Sequence, residues 1–386
     1  MKVAYVGDFI NHGKSLPTFG TSFVILLARL EFVISVDVFC PGLNRNIEYF
    51  KLPEKIKVIN SYNYDDPLSL LTLLRQSWED YDIVIFNMLP TGYGNSSFTN
   101  AIGLLIPILL KRLFKYNNIK IIYHNSIFTN DVKKLGYNSL FDKIRSFFLK
   151  VIERNLLKSI TTFVLLNLYM QRINAAIGKN AVRTFNPRFL DEIATLYINN
   201  SLDIEKIEAT NPKIPEILMH GSWGPQKNIE LALSVLRDLR NLGVTFRLII
   251  SGGINHHFPE YENKFRKLLS SYSDIIDEYL GLVAEREIMN LFLNASLIIL
   301  PYNTPGGHSA VLEQAIFFEV PTIAIDFPEY QEQAAGNEDV ILIDIKDLTS
   351  KLIFSKLRVA SHKVIYINNK IKQSEKNIEC LLKDSI

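Results

Sequence analysis

The sequence predicts an α/β protein built as two doubly wound, Rossmann-like domains, and three observations carry that expectation. Short β-branched runs alternate with longer stretches of helical period, the pattern of parallel sheets crossed by helices. At 386 residues the chain suffices for about two domains of roughly 100–200 residues each. The alternation stops once, between residues 198 and 215, where Asn199, Asn200, Asn211, Pro212 and Pro215 replace any sustained apolar pattern, and then resumes.

In the first half, strands are expected to begin near Val3, Ser35, Lys57, Ile83, Ile119, Thr161 and Val182. Helical periods lie between them, from Thr21 to Phe32, Leu68 to Trp78, Phe98 to Phe114, Leu140 to Leu157 and Leu168 to Ala176. After the break, Ile217 to Gly221 reads as a strand and Asn228 to Leu242 as a helix stopped by Gly243. Thr245 to Ser251 reads as a strand ending at Gly252 and Gly253, and runs from Ala295, Pro321 and Val340 complete a second sheet. Val364 to Leu382 is helical but weakly apolar, so it belongs on a surface. The expected organisation is a first domain over 1–205, a second over 206–360 and a terminal helix over 361–386, which in similar proteins crosses back onto the first domain. Open parallel sheets bind ligands at the carboxyl ends of their strands, so two of them facing each other would enclose a cleft.

Composition narrows the function. Apolar residues make up 48% and charged residues 21%, which excludes wholesale disorder and a disulfide scaffold. With 42 basic against 40 acidic residues and a net charge of +2, the chain has no global field for gripping nucleic acid. Cys40 and Cys380 are too few for a thiolate metal cage and suit a reducing compartment. The opening Met1-Lys2-Val3-Ala4-Tyr5-Val6-Gly7-Asp8 reads as a buried strand rather than a signal peptide. The longest lipid-like run, Ala101 to Leu110, is about half the roughly 20 residues that span a bilayer. These features suit a cytoplasmic protein.

The stretch Leu300-Pro301-Tyr302-Asn303-Thr304-Pro305-Gly306-Gly307-His308-Ser309-Ala310-Val311-Leu312-Glu313 is the most informative. A buried strand runs into a glycine loop, and a helix is expected to start near Ser309. Unpartnered N–H groups and the positive end of the helix dipole would then favour a phosphate. Glu313, one turn inside, suits a pair of sugar hydroxyls. The same spacing also suits a plain strand-to-helix turn in which Glu313 only supports the helix start.

Together with Val-Pro-Thr-Ile-Ala at Val320 to Ala324, this stretch resembles the donor-sugar motif of retaining glycosyltransferases of family 4 (group 1), which have the GT-B fold. Gly221, Lys227 and Asn228 before an amphipathic helix are similar to that family's diphosphate loop. Tyr279-Leu280-Gly281-Leu282-Val283 resembles its F-x-G-x-V strand, and Phe185-Asn186-Pro187 loosely resembles its linker turn. The resemblance implies transfer of a sugar from a nucleotide-sugar donor to a hydroxyl acceptor, a glycan or a lipid-linked one, with no cofactor and no required metal. It assigns Glu313 to the donor ribose, Lys227 to the diphosphate, and Gly306, Gly307, His308 and Ser309 to the sugar and phosphate end. Gly20, Gly221 and Ser222 join the donor set, and His124 at the end of a first-domain strand is carried over as a contact to the transferred sugar. Two departures stand out. Members carry a second glutamate eight positions before the first, where this chain has Pro305, and often Arg where it has Ser222. A noncatalytic partner subunit of the same fold is therefore an open alternative, and a sugar-nucleotide epimerase a further one.

Asp80-Tyr81-Asp82 spells the Asp-x-Asp of metal-dependent glycosyltransferases of the other fold, but it precedes a strand instead of following one, and His256-His257 lies in a polar loop; no metal site is expected. Residues 111–158 hold 11 basic and 3 acidic side chains, a local charge of +8. There Lys143, Lys150, Arg154 and Lys158 form one helical stripe beside a second of Phe141, Ile144, Phe148, Val151 and Ile152. This arrangement suits either docking on an anionic membrane surface at the cytoplasmic face, or a core-packed helix with a solvated side.

Overall fold

The computed structural model describes residues 1–9, 15–42, 52–90, 92–94, 96–124, 126, 140–185, 188, 192–193, 196–197, 206–208, 213–255, 258–304, 307–357 and 364–383. By compactness the chain forms two units, one of residues 1–190 with 372–386 and the other of residues 191–371.

Unit 1 contains β1 (Lys2–Val6), α1 (Ser15–Arg29), β2 (Ser35–Pro41), β3 (Ile56–Tyr62), α2 (Pro67–Leu70), β4 (Ile83–Met88), α3 (Ser97–Leu113), β5 (Ile119–Tyr123), α4 (Leu140–Ser159), β6 (Thr161–Val164), α5 (Asn167–Ile177) and β7 (Val182–Thr184). Its seven strands lie in the order β3-β2-β1-β4-β5-β6-β7, all parallel. Every residue of β4 and β5 is buried, which is why these strands read as continuous apolar runs instead of alternating ones. The strand order reverses between β1 and β4, the switch point where such sheets accept ligands.

Two helices differ from expectation. Instead of one helix from Leu68 to Trp78, the single turn α2 passes into 3-10 turns at Leu71–Arg75 and Trp78–Asp80. Asp66 caps α2 by accepting from the N–H groups of Leu68 and Ser69, and Trp78 Nε1 donates to Leu73 O at 2.8 Å. Leu70, Leu73 and Trp78 thus reach the core without helical continuity. Helix α1 begins at Ser15, six residues before Thr21, so Gly20 lies inside the helix rather than in a loop before it. A Cβ there would stand 2.3 Å from Asp8 O and 2.4 Å from the Tyr5 hydroxyl, so close packing of α1 on the end of β1 accounts for this glycine.

Unit 2 contains β8 (Lys206–Glu208), β9 (Glu216–His220), α6 (Ile229–Asn241), β10 (Arg247–Ser251), α7 (Tyr261–Ser271), β11 (Glu278–Tyr279), α8 (Glu285–Asn294), β12 (Leu297–Leu300), α9 (Ala310–Phe317), β13 (Thr322–Ile325), α10 (Pro328–Ala334), β14 (Val340–Ile343), α11 (Ser350–Lys356) and β15 (Val364–Tyr366). Its main sheet is parallel in the order β11-β10-β9-β12-β13-β14, with the switch between β9 and β12. Ile217, Met219, Leu233, Leu236, Leu248, Ile250, Leu297 and Ile299 build the core between sheet and helices. The antiparallel pair β8–β15 was not expected: its strands of three residues are too short for a periodic signal, and Val364 was read as helical. The last helix, α12 (Ile367–Lys383), begins in unit 2, where Lys370 pairs with Glu319 at 3.0 Å. It continues into unit 1, where Lys120 Nζ donates to Leu381 O and Glu375 pairs with Arg29 at 2.9 Å.

Candidate functional site

The sequence-predicted donor residues of unit 2 gather at the carboxyl ends of its switch strands. β9 delivers His220 and then Gly221, whose φ of 146° suits a residue without Cβ. The loop is fastened to the end of β10: Trp223 N donates to Gly253 O at 2.8 Å, Trp223 Nε1 donates to Ser251 O at 3.1 Å, and its ring stacks on Phe265. Gly252 has φ 107°, and a Cβ on it would lie 1.8 Å from Gly221 O, so the two loops touch backbone to backbone. A 3-10 turn, Pro225–Lys227, and a left-handed Asn228 then lead into α6.

Across the switch, Asn303 N donates to Gln226 O at 2.9 Å, tying the loop after β12 to the loop after β9. Lys227 Nζ stands 3.6 Å from the centroid of the Tyr302 ring. Among the described residues no carboxylate pairs with this half-buried ammonium. Burial pushes its pKa down from 10.5 to about 7. His220 is held down to about 4, first by burial and then by the Lys227 cation, and its Nδ1 lies 2.7 Å from Ser251 Oγ. Tyr302 is 2% exposed and its buried hydroxyl has no partner among the described residues; burial raises its pKa far above the usual value. A Cβ on Gly221 would lie 3.8 Å from both that hydroxyl and Val311 Cγ2, so the two loops and the first turn of α9 converge on one point.

Helix α9 starts where expected but uses Ser309 differently. Ser309 Oγ accepts from Leu312 N at 3.3 Å, its N–H donates to Gln333 Oε1 at 2.9 Å, and Gln333 Nε2 donates back to Ser309 O at 3.2 Å. Ser309 is thus a helix cap clamped by α10, and its N–H is engaged by Gln333 instead of facing an anion. Glu313 is 6% exposed, with Oε2 lying 3.6 Å from His308 Nε2, so the imidazole of His308 faces the Glu313 carboxylate. Gly307 has φ 106° and Ser222 is exposed. Gly306 and Pro305 lie outside the described residues, as do Asn186, Pro187, His256 and His257.

In unit 1, His124 follows β5, its Nε2 2.6 Å from Asn87 Oδ1 of β4 and its ring edge-on to Phe19 at 4.4 Å. Asp82 accepts from Lys2 N and the Tyr81 hydroxyl donates to Asp37, so the Asp-x-Asp triplet sits at the amino end of β4 in structural roles. Helix α4 carries two apolar faces. Leu149 and Leu156 are buried, whereas Ile144, Phe147, Phe148 and Val151 are exposed, Phe147 and Phe148 by 64% and 62%. Of the predicted stripe, Ile144, Phe148 and Val151 therefore face outward, whereas Ile152 packs against the core and the Phe141 side chain lies outside the described set. Lys150, Arg154 and Lys158 belong to the same helix, while the Lys143 side chain lies outside the described set.

The sequence assigns no role in the site to Tyr302, Gln333, Gly252 or Asn87, although Gly252 directly follows a strand and Tyr302 stands two residues past the end of β12 at the switch point.

Residues 201–354 match the family described as glycosyl transferases group 1. No curated protein matches the chain significantly. Among solved structures, sucrose-phosphate synthase from Thermosynechococcus elongatus is 13% identical with a TM-score of 0.65, covering 99% of this chain and 94% of that one. Anabaena HepE in complex with UDP and glucose is 12% identical with a TM-score of 0.59, over 100% and 95%. A glycosyltransferase from Rickettsia africae is 14% identical with a TM-score of 0.58, over 100% and 97%. The chain thus has the two-Rossmann α/β fold of GT-B glycosyltransferases, and its second unit carries the match to glycosyl transferases group 1.

Proposed function

We propose that the protein transfers a sugar from a nucleotide-sugar to a hydroxyl of a glycan or lipid-linked acceptor, with retention at the anomeric carbon. The observation that carries this reading is Lys227: a half-buried ammonium with no opposing carboxylate among the described residues, on the loop after switch strand β9 and over the ring of Tyr302 just past β12. An isolated cation in that setting is costly unless an anion arrives, and the diphosphate of a donor is such an anion. HepE, with the same fold, was solved with UDP and with UDP-glucose, which supports this donor class.

Breaking the anomeric C–O bond leaves negative charge on the diphosphate and positive charge on the sugar ring. Lys227 stabilises the former from a preorganised position, and Glu313 accepts from the ribose hydroxyls. In unit 1, the exposed apolar stripe of α4 beside Lys150, Arg154 and Lys158 supports docking on an anionic membrane, which suits a lipid-linked acceptor.

The test is thermal stability against a panel of nucleotide-sugars and free nucleotides, with Glu313→Gln beside the wild type. A ligand at about 100 times its Kd adds about 2.7 kcal/mol, a shift of several degrees. One donor should stabilise the wild type and lose its effect in Glu313→Gln, and the product made from it should keep the donor's anomeric configuration by NMR. Absence of any shift across the panel would sink the donor assignment, and binding without turnover on any acceptor would favour a noncatalytic partner subunit.

A further inference from the structure

A lysine that waits for an anion needs something to hold it in the meantime. A carboxylate would do so by neutralising it, and would then compete with the diphosphate. The ring of Tyr302 does it without adding negative charge: the ammonium lies 3.6 Å from the ring centroid, a distance at which the quadrupole of the π face attracts a cation. Tyr302 itself is immobilised. It follows β12, is 2% exposed, packs edge-on to Tyr330, and reaches toward Gly221 of the neighbouring loop. Its hydroxyl has no hydrogen-bond partner among the described residues, so ring packing holds the residue in place.

We propose that Tyr302 is the positioning residue for Lys227, its ring face serving as the resting seat from which the ammonium meets a diphosphate. The proposal rests on the donor-site reading above and adds to it the residue that aims the cation. His220 is the other titratable group that senses Lys227, and it is held neutral. Among the described residues the ring is then the contact that favours the charged ammonium, and its loss must lower the pKa of Lys227 below its resting value of about 7.

The test compares Tyr302→Phe, which keeps the ring, with Tyr302→Leu, which keeps an apolar side chain without a π face. In ligand-free full-length protein, the titration of Lys227 is followed by NMR of isotopically labelled lysine side chains, assigned with Lys227→Met. UDP and inorganic pyrophosphate serve as probes in calorimetry at pH 6 and pH 8. Tyr302→Phe should titrate as the wild type does and bind both probes within about twofold of it. Tyr302→Leu should titrate about one pH unit lower and bind both about tenfold more weakly at pH 8, with a smaller loss at pH 6. An unchanged or raised Lys227 titration in Tyr302→Leu would overturn the seat, whatever the probes do. If the titration falls as expected and neither probe binds the wild type, the seat stands and the donor-site reading falls.

Discussion

Replacing Lys227 with methionine should make the protein more stable and disarm its donor site at once. The folded-state pKa of Lys227 is about 7 against 10.5 for a free lysine, so the unfolded chain binds the proton more tightly. Below pH 7 both states are charged and folding bears the full penalty. Between about 7 and 10.5 the folded state sheds its proton first, and stability rises with pH. The difference of about 3.5 units corresponds to a ceiling of about 5 kcal/mol at 1.36 kcal/mol per unit. The side chain is only half-buried, so water and relaxation absorb part of this, and about 2 kcal/mol is the expected gain at pH 6. Lys227→Met keeps the length of the stem and removes the charge. Urea unfolding of both proteins, measured from pH 6 to pH 9, should show the variant ahead at pH 6 and the gap closing as pH rises. Pyrophosphate should stabilise the wild type and leave the variant unmoved. A variant less stable than wild type at pH 6, or a gap that does not change with pH, would refute the reasoning.

Glu313→Gln should weaken nucleotide-sugar binding by about 10- to 100-fold in calorimetry, the worth of a hydrogen bond to a charged group, while the helix cap at Ser309 keeps α9 formed. Gly252→Ala should cost about 2–4 kcal/mol in denaturant unfolding, because the new Cβ meets Gly221 O at 1.8 Å on a backbone with φ 107°. It should also weaken pyrophosphate binding; full retention of both would show that the two loops need not touch. Charge reversal at Lys150, Arg154 and Lys158 should abolish sedimentation with anionic vesicles at about 1 kcal/mol per residue, and leave UDP affinity intact. Normal co-sedimentation of that variant would remove the membrane role of α4.

The strands were legible because their burial is two-sided. β4 and β5 are buried at every position, and a run such as Ile83 to Phe86 has no other comfortable place in a protein of this composition. β8 and β15 were illegible for the converse reason: three-residue strands on one small sheet carry too few side chains to show a period, and Tyr366 faces solvent at 58%. The glycines divide in the same way. Gly221 and Gly252 are both legible from their places after strands, but that Gly252 tolerates no Cβ is set by an oxygen of another loop, and Gly20 is required by a tyrosine on another strand.

The site was legible in its charges and not in what holds them. Lys227 and Glu313 stand out through the resemblance, since the spacing around Glu313 alone suits a plain strand-to-helix turn equally well. Their supports are ordinary residues in ordinary elements. Gln333 looks like any polar residue of a surface helix, yet it is 6% exposed and engages both backbone groups of Ser309. Tyr302 looks like one more aromatic of the core until the loop from β9 lays an ammonium across it. These pairings arise because a parallel sheet brings the segments after β9, β12 and β13 side by side, although they are apart in the chain. A site of this kind is therefore read from one sequence as an incomplete list of charges, because the residues that support them come from loops far apart in the chain.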